Sequence, residues 1–289
     1  MRPSSFSRPS LAKAVASGRF VLTTSVGTLP KADEALLRRR LRQVREAFAF
    51  VKFGDNPRAR ARVSPWAAAA VAIGEDVEPI VHVGCRDRNR LAIQADLLGG
   101  RLLGVQNVLC LRGDDIGISD QVDAVAVHDL EVVDLVRLAS RDEAFFVLAA
   151  CDPAVPITDA HLERLRAKLN AGAALLETQP VFKGSRLAAW LRRARDAGID
   201  APVLVDVSVV ATPGEAELLE RIPQVQPPLG LAERVRSDPR AGIALAAEVV
   251  AEVRDIPGVV GCHLSPLGGD PAPALAVLDR IRRGPRRGG

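Results

Sequence analysis

The feature that most constrains the fold is a regular alternation of short apolar runs with amphipathic segments along the whole chain of 289 residues. Strands that alternate with helices in this way are typical of βα units and a parallel sheet, rather than of a sandwich or a helical bundle. We therefore predict an α/β protein with strands at residues 20–26, 48–53, 79–84, 106–110, 145–150, 174–178, 202–208 and 259–264.

The segments between these runs have apolar residues at the spacing of an amphipathic helix, and we expect each apolar face to pack on the sheet. The four clearest faces are Leu37/Leu41/Val44, Leu91/Ala95/Leu98/Leu102, Leu162/Leu165/Leu169 and Leu187/Leu191/Ala194.

Eight such units predict a single (β/α)₈ TIM barrel. A doubly wound sheet is disfavoured because the first strand-to-helix turn, residues 25–30, contains no GxGxxG fingerprint. We expect an N-terminal extension at 1–19, the barrel at 20–282 and a basic C-terminal tail at 283–289. The Pro- and Arg-rich stretch 223–238 predicts an irregular excursion with a short extra helix.

The charge balance argues against nucleic-acid binding. Of the 39 Lys and Arg residues, five Arg lie within residues 280–289, where there is no acidic residue, so the rest of the chain carries 34 basic against 35 acidic residues. A nucleic-acid interface needs cations spread along a surface. No apolar run approaches the roughly 18 residues of a membrane-spanning helix, so we expect no membrane partner.

The four cysteines, Cys85, Cys110, Cys151 and Cys262, form no CxxC pair, and residues 1–20 lack the apolar core of a secretory leader. These features predict a cytoplasmic protein with no metal site. Three of the cysteines lie near the ends of apolar runs, where a redox role is conceivable, but small buried residues are the favoured interpretation.

In a (β/α)₈ barrel the chemistry lies at the C-terminal ends of the strands. Strand four is followed by Arg112, Gly113, Asp114 and Asp115. A carboxylate there can accept paired hydrogen bonds from the planar N–H edge of a ring such as a pterin. The alternative is a solvated loop in which Arg112 pairs with a neighbouring acid.

Two further strand ends carry candidate polar groups. Gln179 follows strand six, where its amide could orient a lactam-like ring edge or simply cap a loop. Asp206 lies inside the apolar run of strand seven, where burial should raise its pKa toward that of a useful general acid. Alternatively, backbone N–H groups or a basic partner fix Asp206 as a structural carboxylate.

Strand three ends in His82 and a polar turn. Asp87 is expected to cap the following helix, while Arg86 and Arg88 could hold a phosphate together with the helix N-terminus. His82, like His263 in strand eight, is more often a core histidine than a catalyst.

Four ordered motifs resemble the methylenetetrahydrofolate reductases: CRDRN at 85–89, GVQNVLCLRGD at 104–114, AGAALLETQ at 171–179 and VVGCH at 259–263. This resemblance spans about residues 20 to 282. It implies a (β/α)₈ flavoprotein in which FAD takes a hydride from NAD(P)H and passes it to the methylene carbon of 5,10-methylenetetrahydrofolate.

The resemblance also implies roles for individual residues. Asp114 would lie between flavin and pterin, Gln179 would contact the pterin, and we group Ser25 with these substrate-binding residues. His82 would lie near the flavin, and Lys168 would approach the cofactor phosphates. We group Arg112 with these cofactor-binding residues.

Three departures from the family matter. Ser25 occupies the place of a strand-one Glu that acts as the acid, strand two lacks a Thr-Tyr-Gly-like turn, and Cys151 follows strand five where the family has residues that clasp FAD. Losing a general acid costs about 10²–10⁴ in rate. Another carboxylate, Asp206, Asp55, Asp114 or Asp115, must then serve, or the reduction is lost.

Three hypotheses follow. The first is a reductase of this type, with FAD, disfavoured by the depleted clasp, or with direct hydride transfer from NAD(P)H. The second is a non-redox barrel that binds a reduced folate or related pterin, as an accessory or methyl-transfer-linked protein. The third is an interaction scaffold without chemistry. A homo-oligomer is compatible with each.

Overall fold

The computed structural model describes residues 10–141, 145–222 and 225–283. Residues 1–9 of the expected N-terminal extension and 284–289 of the expected basic tail therefore lie outside the described residues. No helix of the described part is long and apolar enough to cross a lipid bilayer.

Eight parallel strands pair in chain order and close into a barrel, β8 pairing with β1. This confirms the predicted single (β/α)₈ barrel, and each strand begins and ends within two residues of its expected limits. The strands are β1 Val21–Ser25, β2 Phe50–Phe53, β3 Glu78–Gly84, β4 Asn107–Leu111, β5 Phe146–Cys151, β6 Leu175–Thr178, β7 Val203–Val209 and β8 Val259–Pro266.

Helices fill the connections and surround the barrel. They are α1 Leu11–Ala16, α2 Glu34–Val44, α3 Pro65–Gly74, α4 Arg90–Leu103, α5 Val132–Ala139, α6 Asp159–Asn170, α7 Gly184–Asp196, α8 Pro213–Glu220, α9 Leu231–Ser237, α10 Ala241–Arg254 and α11 Ala272–Arg283. Helix α9 is the short extra helix expected in the excursion before β8.

The lower barrel interior is apolar. Side chains from seven strands meet there, and Leu11 of α1 joins them and closes the N-terminal end of the barrel. The seven strand residues are Val21, Phe50, Ile80, Leu109, Leu148, Leu175 and Leu204. Because alternate strand residues face the same side, the next interior layer is occupied by the residues two positions further along each strand.

The prediction for the packing face of α4 is wrong. Leu91, Leu98 and Leu102 are 74%, 64% and 89% exposed, whereas Ile93 and Leu97 are buried. The reason is Gly100, where a Cβ atom would overlap the indole ring of Trp66 on α3. The close approach between Gly100 and Trp66 turns the Ile93/Leu97/Gly100 face of α4 inward.

This close approach predicts opposite effects for two neighbouring glycines. Gly100→Ala should lower the free energy of unfolding by about 1–3 kcal/mol because the new methyl group collides with Trp66. Gly99→Ala is the matched control, since its Cβ would meet open space, and it should stabilise α4 by up to about 1 kcal/mol. Urea unfolding of both variants measures the difference; equal effects would exclude the steric explanation.

Candidate functional site

A layer of charged and polar side chains lies in the barrel interior above the apolar layer. Lys52, His82, Glu177 and Asp206 each follow an interior apolar residue by two positions, so they face the barrel axis. His263 joins them through a 2.8 Å hydrogen bond between its Nδ1 and the hydroxyl of Thr23.

Lys52 and Glu177 form a buried ion pair across this layer. The two side chains are 1% and 6% exposed, and the Lys52 ammonium contacts Glu177 Oε1. Burial raises the pKa of Glu177, and the positive charge of Lys52 opposes that rise. Removing a charged pair from water is costly unless its partners stay close, so each charge depends on the other for its stability.

Asp206 lies beside this pair. Asp206 as a whole is partly exposed to solvent, but its Oδ1 atom is buried and has no hydrogen-bond partner among the described residues. Burial raises the pKa of Asp206 to about 7, Lys52 opposes the rise, and Glu177 adds to it. The expected upward shift is therefore present. The backbone around Asp206 is fixed by hydrogen bonds from its N–H to Thr178 Oγ1, 3.0 Å, and from Val181 N–H to its carbonyl, 2.9 Å.

The two interior histidines are held neutral. Burial, with a smaller contribution from the Lys52 charge, lowers the pKa of His82 to about 3, and the same causes lower the pKa of His263. His263 has its partner in Thr23, but His82 Nε2 has none within the described residues. His82 thus fits the core-histidine interpretation less well than His263 does.

A cavity of about 410 Å³ opens at the barrel mouth and runs outward over the ends of β5 and β6. Asp114, Gln179 and Lys168 all line it, so the structure brings three of the predicted site residues to one opening. This volume lies within the usual range for small-molecule sites. The Lys168 ammonium donates a 2.6 Å hydrogen bond to the Ala150 carbonyl, and burial lowers its pKa.

Helix α6 supplies a basic side to this cavity. His161, Arg164 and Lys168 recur at helical spacing and all three line the cavity. The Arg164 and Lys168 cations on this helix face fit the phosphates of a dinucleotide cofactor. Near Cys151 the described lining residues include no Phe, and Trp190 of α7 is the large aromatic side chain among them. The described residues therefore fit the phosphates better than they fit a clasped flavin ring.

The other candidate carboxylates at the strand ends already accept hydrogen bonds. Asp55 Oδ2 accepts from Gly84 N–H at 2.8 Å and pairs with Arg88. Asp114 Oδ2 accepts from the backbone N–H of Arg58 at 2.5 Å.

Asp115 Oδ1 accepts from Gly117 N–H at 2.8 Å, as the cap of a 3₁₀ turn. Asp206 differs from these three because its Oδ1 has no partner in the described ranges. Burial raises the pKa of Asp55 as well as that of Asp206, but the Arg88 charge opposes the rise at Asp55.

The phosphate alternative for the turn after β3 is wrong. Arg86 is 2% exposed and pairs with Asp87, and Arg88 pairs with Asp55 and Asp96. These guanidinium groups are occupied by carboxylates. Asp87 is not the helix cap either: Asn89 caps α4, its Oδ1 accepting from Ala92 N–H at 2.9 Å. Asp87 faces Arg86 and Asn56 instead, which explains the difference.

Four predicted residues lie outside the cavity lining: His82 and Asp206 in the barrel interior, and Arg112 and Ser25. Arg112 is exposed and lies near Cys85, on the helix-facing side of the sheet, so the geometry does not place it with Lys168. Ser25 is half-buried at the end of β1, in register with Lys52 of β2. Ser25, expected in the place of the family's acid, is therefore next to a buried cation in this chain.

The four cysteines are buried, as favoured from the sequence. Burial raises the pKa values of Cys85 and Cys151 to about 12, so neither thiol ionises readily at neutral pH.

A larger cavity, about 1090 Å³, lies between α10 and α11. The described residues that line it include none from a strand end, so it is separate from the barrel mouth.

Sequence reasoning missed the roles of Lys52 and Glu177. The signal was present, since each follows an interior apolar residue by two positions, Phe50 and Leu175 respectively. A charge at that parity inside a strand predicts a charged barrel interior. This spacing does not show that Lys52 pairs with Glu177, because the pairing depends on the register of the strands around the closed barrel.

Comparison with known proteins agrees with the family resemblance seen in the sequence. A family model described as methylenetetrahydrofolate reductase matches residues 13–280. A probable methylenetetrahydrofolate reductase (NADPH) from Caenorhabditis elegans is 22% identical over 158 residues, 53% of this chain and 23% of that protein. Methylenetetrahydrofolate reductase 2 from Saccharomyces cerevisiae is 25% identical over 240 residues, 76% of this chain and 40% of that protein. The chain thus spans less than half the length of either relative.

Among solved structures, a Clostridium thermocellum protein described as binding two copies of 5-methyl-5,6,7,8-tetrahydrofolic acid has a TM-score of 0.69. It is 10% identical, and the match covers 95% of this chain and all of that one. An oxaloacetate acetylhydrolase has a TM-score of 0.53 at 15% identity, covering 100% and 90% of the two chains. At these identities the likeness shows the barrel fold.

Proposed function

Because the chain belongs to the methylenetetrahydrofolate reductase family, we propose that it reduces the methylene carbon of 5,10-methylenetetrahydrofolate to a methyl group. A hydride adds to that carbon while the bond between the carbon and one ring nitrogen breaks, and the released nitrogen takes a proton. NAD(P)H is the source of the hydride.

The observation that carries this proposal is the convergence of Asp114 and Gln179 on one cavity. Asp206 lies in the barrel interior, outside the lining of that cavity. A pterin presents a planar edge of N–H donors and a carbonyl acceptor. Asp114 accepts from the donors, and the Gln179 amide can pair with both kinds of group. These two contacts orient the folate ring over the barrel axis.

Asp206 supplies the proton in this proposal. Its pKa of about 7 lets it hold a proton at neutral pH and release it to the departing nitrogen, which Ser25 cannot do. Asp55, Asp114 and Asp115 are less suitable because their oxygens already accept hydrogen bonds in the described structure. The altered acid catalysis is thus assigned to β7 instead of β1.

FAD, where it binds, would carry the hydride between NAD(P)H and the folate. Lys168 and Arg164 would hold cofactor phosphates, and His82, neutral and unpartnered at Nε2 among the described residues, is the interior group proposed to face the ring system. A cofactor-binding role for Arg112 remains a prediction, and its exposed position does not favour that role.

The experiment is an anaerobic assay of purified protein with 5,10-methylenetetrahydrofolate and either NADH or NADPH. The proposal predicts oxidation of one nucleotide, formation of 5-methyltetrahydrofolate by mass spectrometry, and dependence on both substrates. An absorption spectrum between about 350 and 500 nm, with and without added FAD, separates a flavin-dependent reaction from direct transfer. No product in any combination would contradict the reductase proposal.

The alternative is a folate-binding barrel without redox chemistry. It is favoured by two features together: Ser25 where the resemblance expects the family's acid, and a neighbour of similar fold described as binding 5-methyl-5,6,7,8-tetrahydrofolic acid. Tight binding of that folate by a protein that oxidises no nucleotide would support this alternative.

The remaining expectations stay predictions: cytoplasmic location, self-association into a homo-oligomer, and domain limits at 1–19, 20–282 and 283–289.

A further inference from the structure

The charged layer of the barrel interior contains more acid than base. Among the described residues Lys52 is its one cation, whereas Glu177 and Asp206 are two carboxylates. Burial lowers the pKa of both interior histidines, His82 and His263, so they add no positive charge. One cation compensates one buried carboxylate, and a second carboxylate in the same enclosed space is then driven toward its protonated form. The position of one ammonium group therefore decides which of the two acids is ionised.

The strand order places the two carboxylates on neighbouring strands and the cation across from them. Glu177 lies on β6, in register with Leu204 of β7, and Asp206 follows Leu204 by two residues. Lys52 lies on β2, four strands away from β6 in the closed barrel, so its side chain crosses the barrel axis. Its ammonium group contacts Glu177, and no other carboxylate of the described residues lies within 4.0 Å of it.

The contacts around Asp206 fix its backbone but leave its carboxyl group unpaired. Its N–H donates to Thr178 Oγ1 at 3.0 Å, which ties β7 to the residue next to Glu177. Asp206 Oδ1 and Glu177 Oε2 are both enclosed and have no hydrogen-bond partner in the described ranges. Asp206 is close enough to Lys52 for the two charges to interact, but Glu177 holds the ammonium group.

The other titratable groups of the described residues that adjoin Asp206 are neutral. His263 of β8 is in register with Asp206, and its lowered pKa keeps it uncharged. Cys262 precedes His263, and burial raises the pKa of its thiol. Lys52 and Glu177 are therefore the charged groups that control the proton of Asp206.

We propose that Glu177 is a positioning residue for proton transfer: it holds the Lys52 ammonium group away from Asp206, so that Asp206 keeps the proton that it donates to the folate nitrogen. The inference rests on the proposed function, in which Asp206 is the acid. Without Glu177, Asp206 is the carboxylate of the described interior layer that remains for Lys52, and the two charges form a new pair. An ionised Asp206 has no proton to give.

The test follows the protonation of Asp206 by infrared spectroscopy, which detects the C=O stretching band of a protonated carboxyl group and needs no turnover. The difference between wild type and Asp206→Asn isolates the Asp206 band, which should be present at pH 5 and fade as the pH rises through about 7. The difference between Glu177→Gln and Glu177→Gln/Asp206→Asn gives the same band without Glu177. Its midpoint should be lower by about one to three pH units, because a nearby cation favours the ionised carboxylate.

The double variant Lys52→Met/Glu177→Leu removes the cation together with the residue that holds it. The Asp206 midpoint should return to the wild-type value or rise above it, because Lys52 opposes the raised pKa of Asp206 more than Glu177 adds to it. A shift caused by general damage to the barrel would persist in this variant. The double variant also decides the question if Glu177→Gln does not fold.

Glu75→Gln is the matched control. Glu75 has a side chain that is 6% exposed, as Glu177 has, and it pairs with Arg38 and Arg42. It lies at the end of α3 and contacts α2, away from the barrel interior. Removing its charge should leave the Asp206 midpoint unchanged.

The rate of folate reduction should change in parallel. At pH 7, Glu177→Gln should be slower by about tenfold for each pH unit by which the midpoint falls, and its rate should recover as the pH is lowered. Lys52→Met/Glu177→Leu should regain most of the rate at pH 7, which a purely structural role of Glu177 does not predict.

An unchanged midpoint in Glu177→Gln, or a midpoint below the wild-type value in the double variant, would overturn this inference and leave the proposed reductase in place. A wild-type difference spectrum without an Asp206 band at pH 5 would overturn it as well. If the midpoints change as expected but wild-type protein reduces no folate, the proposed function fails, whereas the control of the Asp206 proton by Glu177 is supported.

Discussion

Replacing Asp206 by asparagine is expected to slow the reduction of 5,10-methylenetetrahydrofolate by about 10²–10⁴-fold, the usual contribution of a general acid. Asparagine keeps the shape of the side chain, but its amide cannot transfer a proton to the leaving nitrogen as a carboxylic acid can. Folate binding should stay within a few-fold of wild type, because the proposed ring contacts come from Asp114 and Gln179.

The pH dependence gives a more specific signature. Asp206 must be protonated to act, so the wild-type rate should fall as the pH rises through about 7, and this limb should vanish in Asp206→Asn. Asp115→Asn, at an exposed carboxylate that caps a turn, is the matched control and should keep both rate and profile. A variant of Asp206 with wild-type rate and profile would remove it as the acid.

The same shift predicts how stability varies with pH. The pKa of Asp206 is raised from 3.8 to about 7 in the folded protein, so the folded state binds more protons than the unfolded state between those values. Stability should therefore fall as the pH rises across this window. Asp206→Asn should remove that part of the decline, which urea unfolding at pH 5 and pH 8 measures.

Replacing Lys52 by methionine is expected to lower the free energy of unfolding by about 3–5 kcal/mol, because it leaves the buried Glu177 carboxylate without its cation. Asp206 would also lose the attraction that opposes its raised pKa. This is the largest stability effect expected for the barrel, since the Lys52 side chain is 1% exposed and its pair cannot be replaced by water.

The control is the double variant Lys52→Met/Glu177→Leu, which removes both charges. Apolar replacement of a whole buried pair is often neutral or stabilising, so the double variant should be more stable than Lys52→Met alone. Denaturant unfolding of both single variants and the double variant gives the coupling free energy. If the free energy of unfolding of Lys52→Met lies within about 0.5 kcal/mol of the wild-type value, Glu177 does not depend on Lys52 for its stability, which would contradict this account.

The barrel could be predicted from the sequence because its signals are local and repeated. Each strand is a short apolar run, and each helix has its own apolar spacing, so the eight units are recognisable one by one. The orientation of α4 was not predictable in the same way. Both of its faces are apolar, and the choice between them depends on Trp66 of another helix meeting Gly100.

The candidate site likewise has residues that could be predicted from local sequence signals and contacts that could not. Asp114 and Gln179 could be placed at one opening because residues at the C-terminal ends of barrel strands converge, whereas Lys168, in the last turn of α6, was expected there only from the family resemblance. The interior pair Lys52–Glu177 joins β2 and β6, which are distant in sequence and around the barrel. Likewise, the tethering of Arg58 to Asp114 depends on a loop conformation that no local pattern indicates.

The most direct test of the central claim is the affinity for 5-methyltetrahydrofolate of wild-type protein and of the variant Asp114→Asn/Gln179→Ala. If one folate ring lies against both residues, wild type binds it and the variant binds about tenfold more weakly or worse, since it loses a charged and a neutral hydrogen-bonding group. Wild-type protein that binds no reduced folate, or a variant that binds as tightly as wild type, would contradict the account.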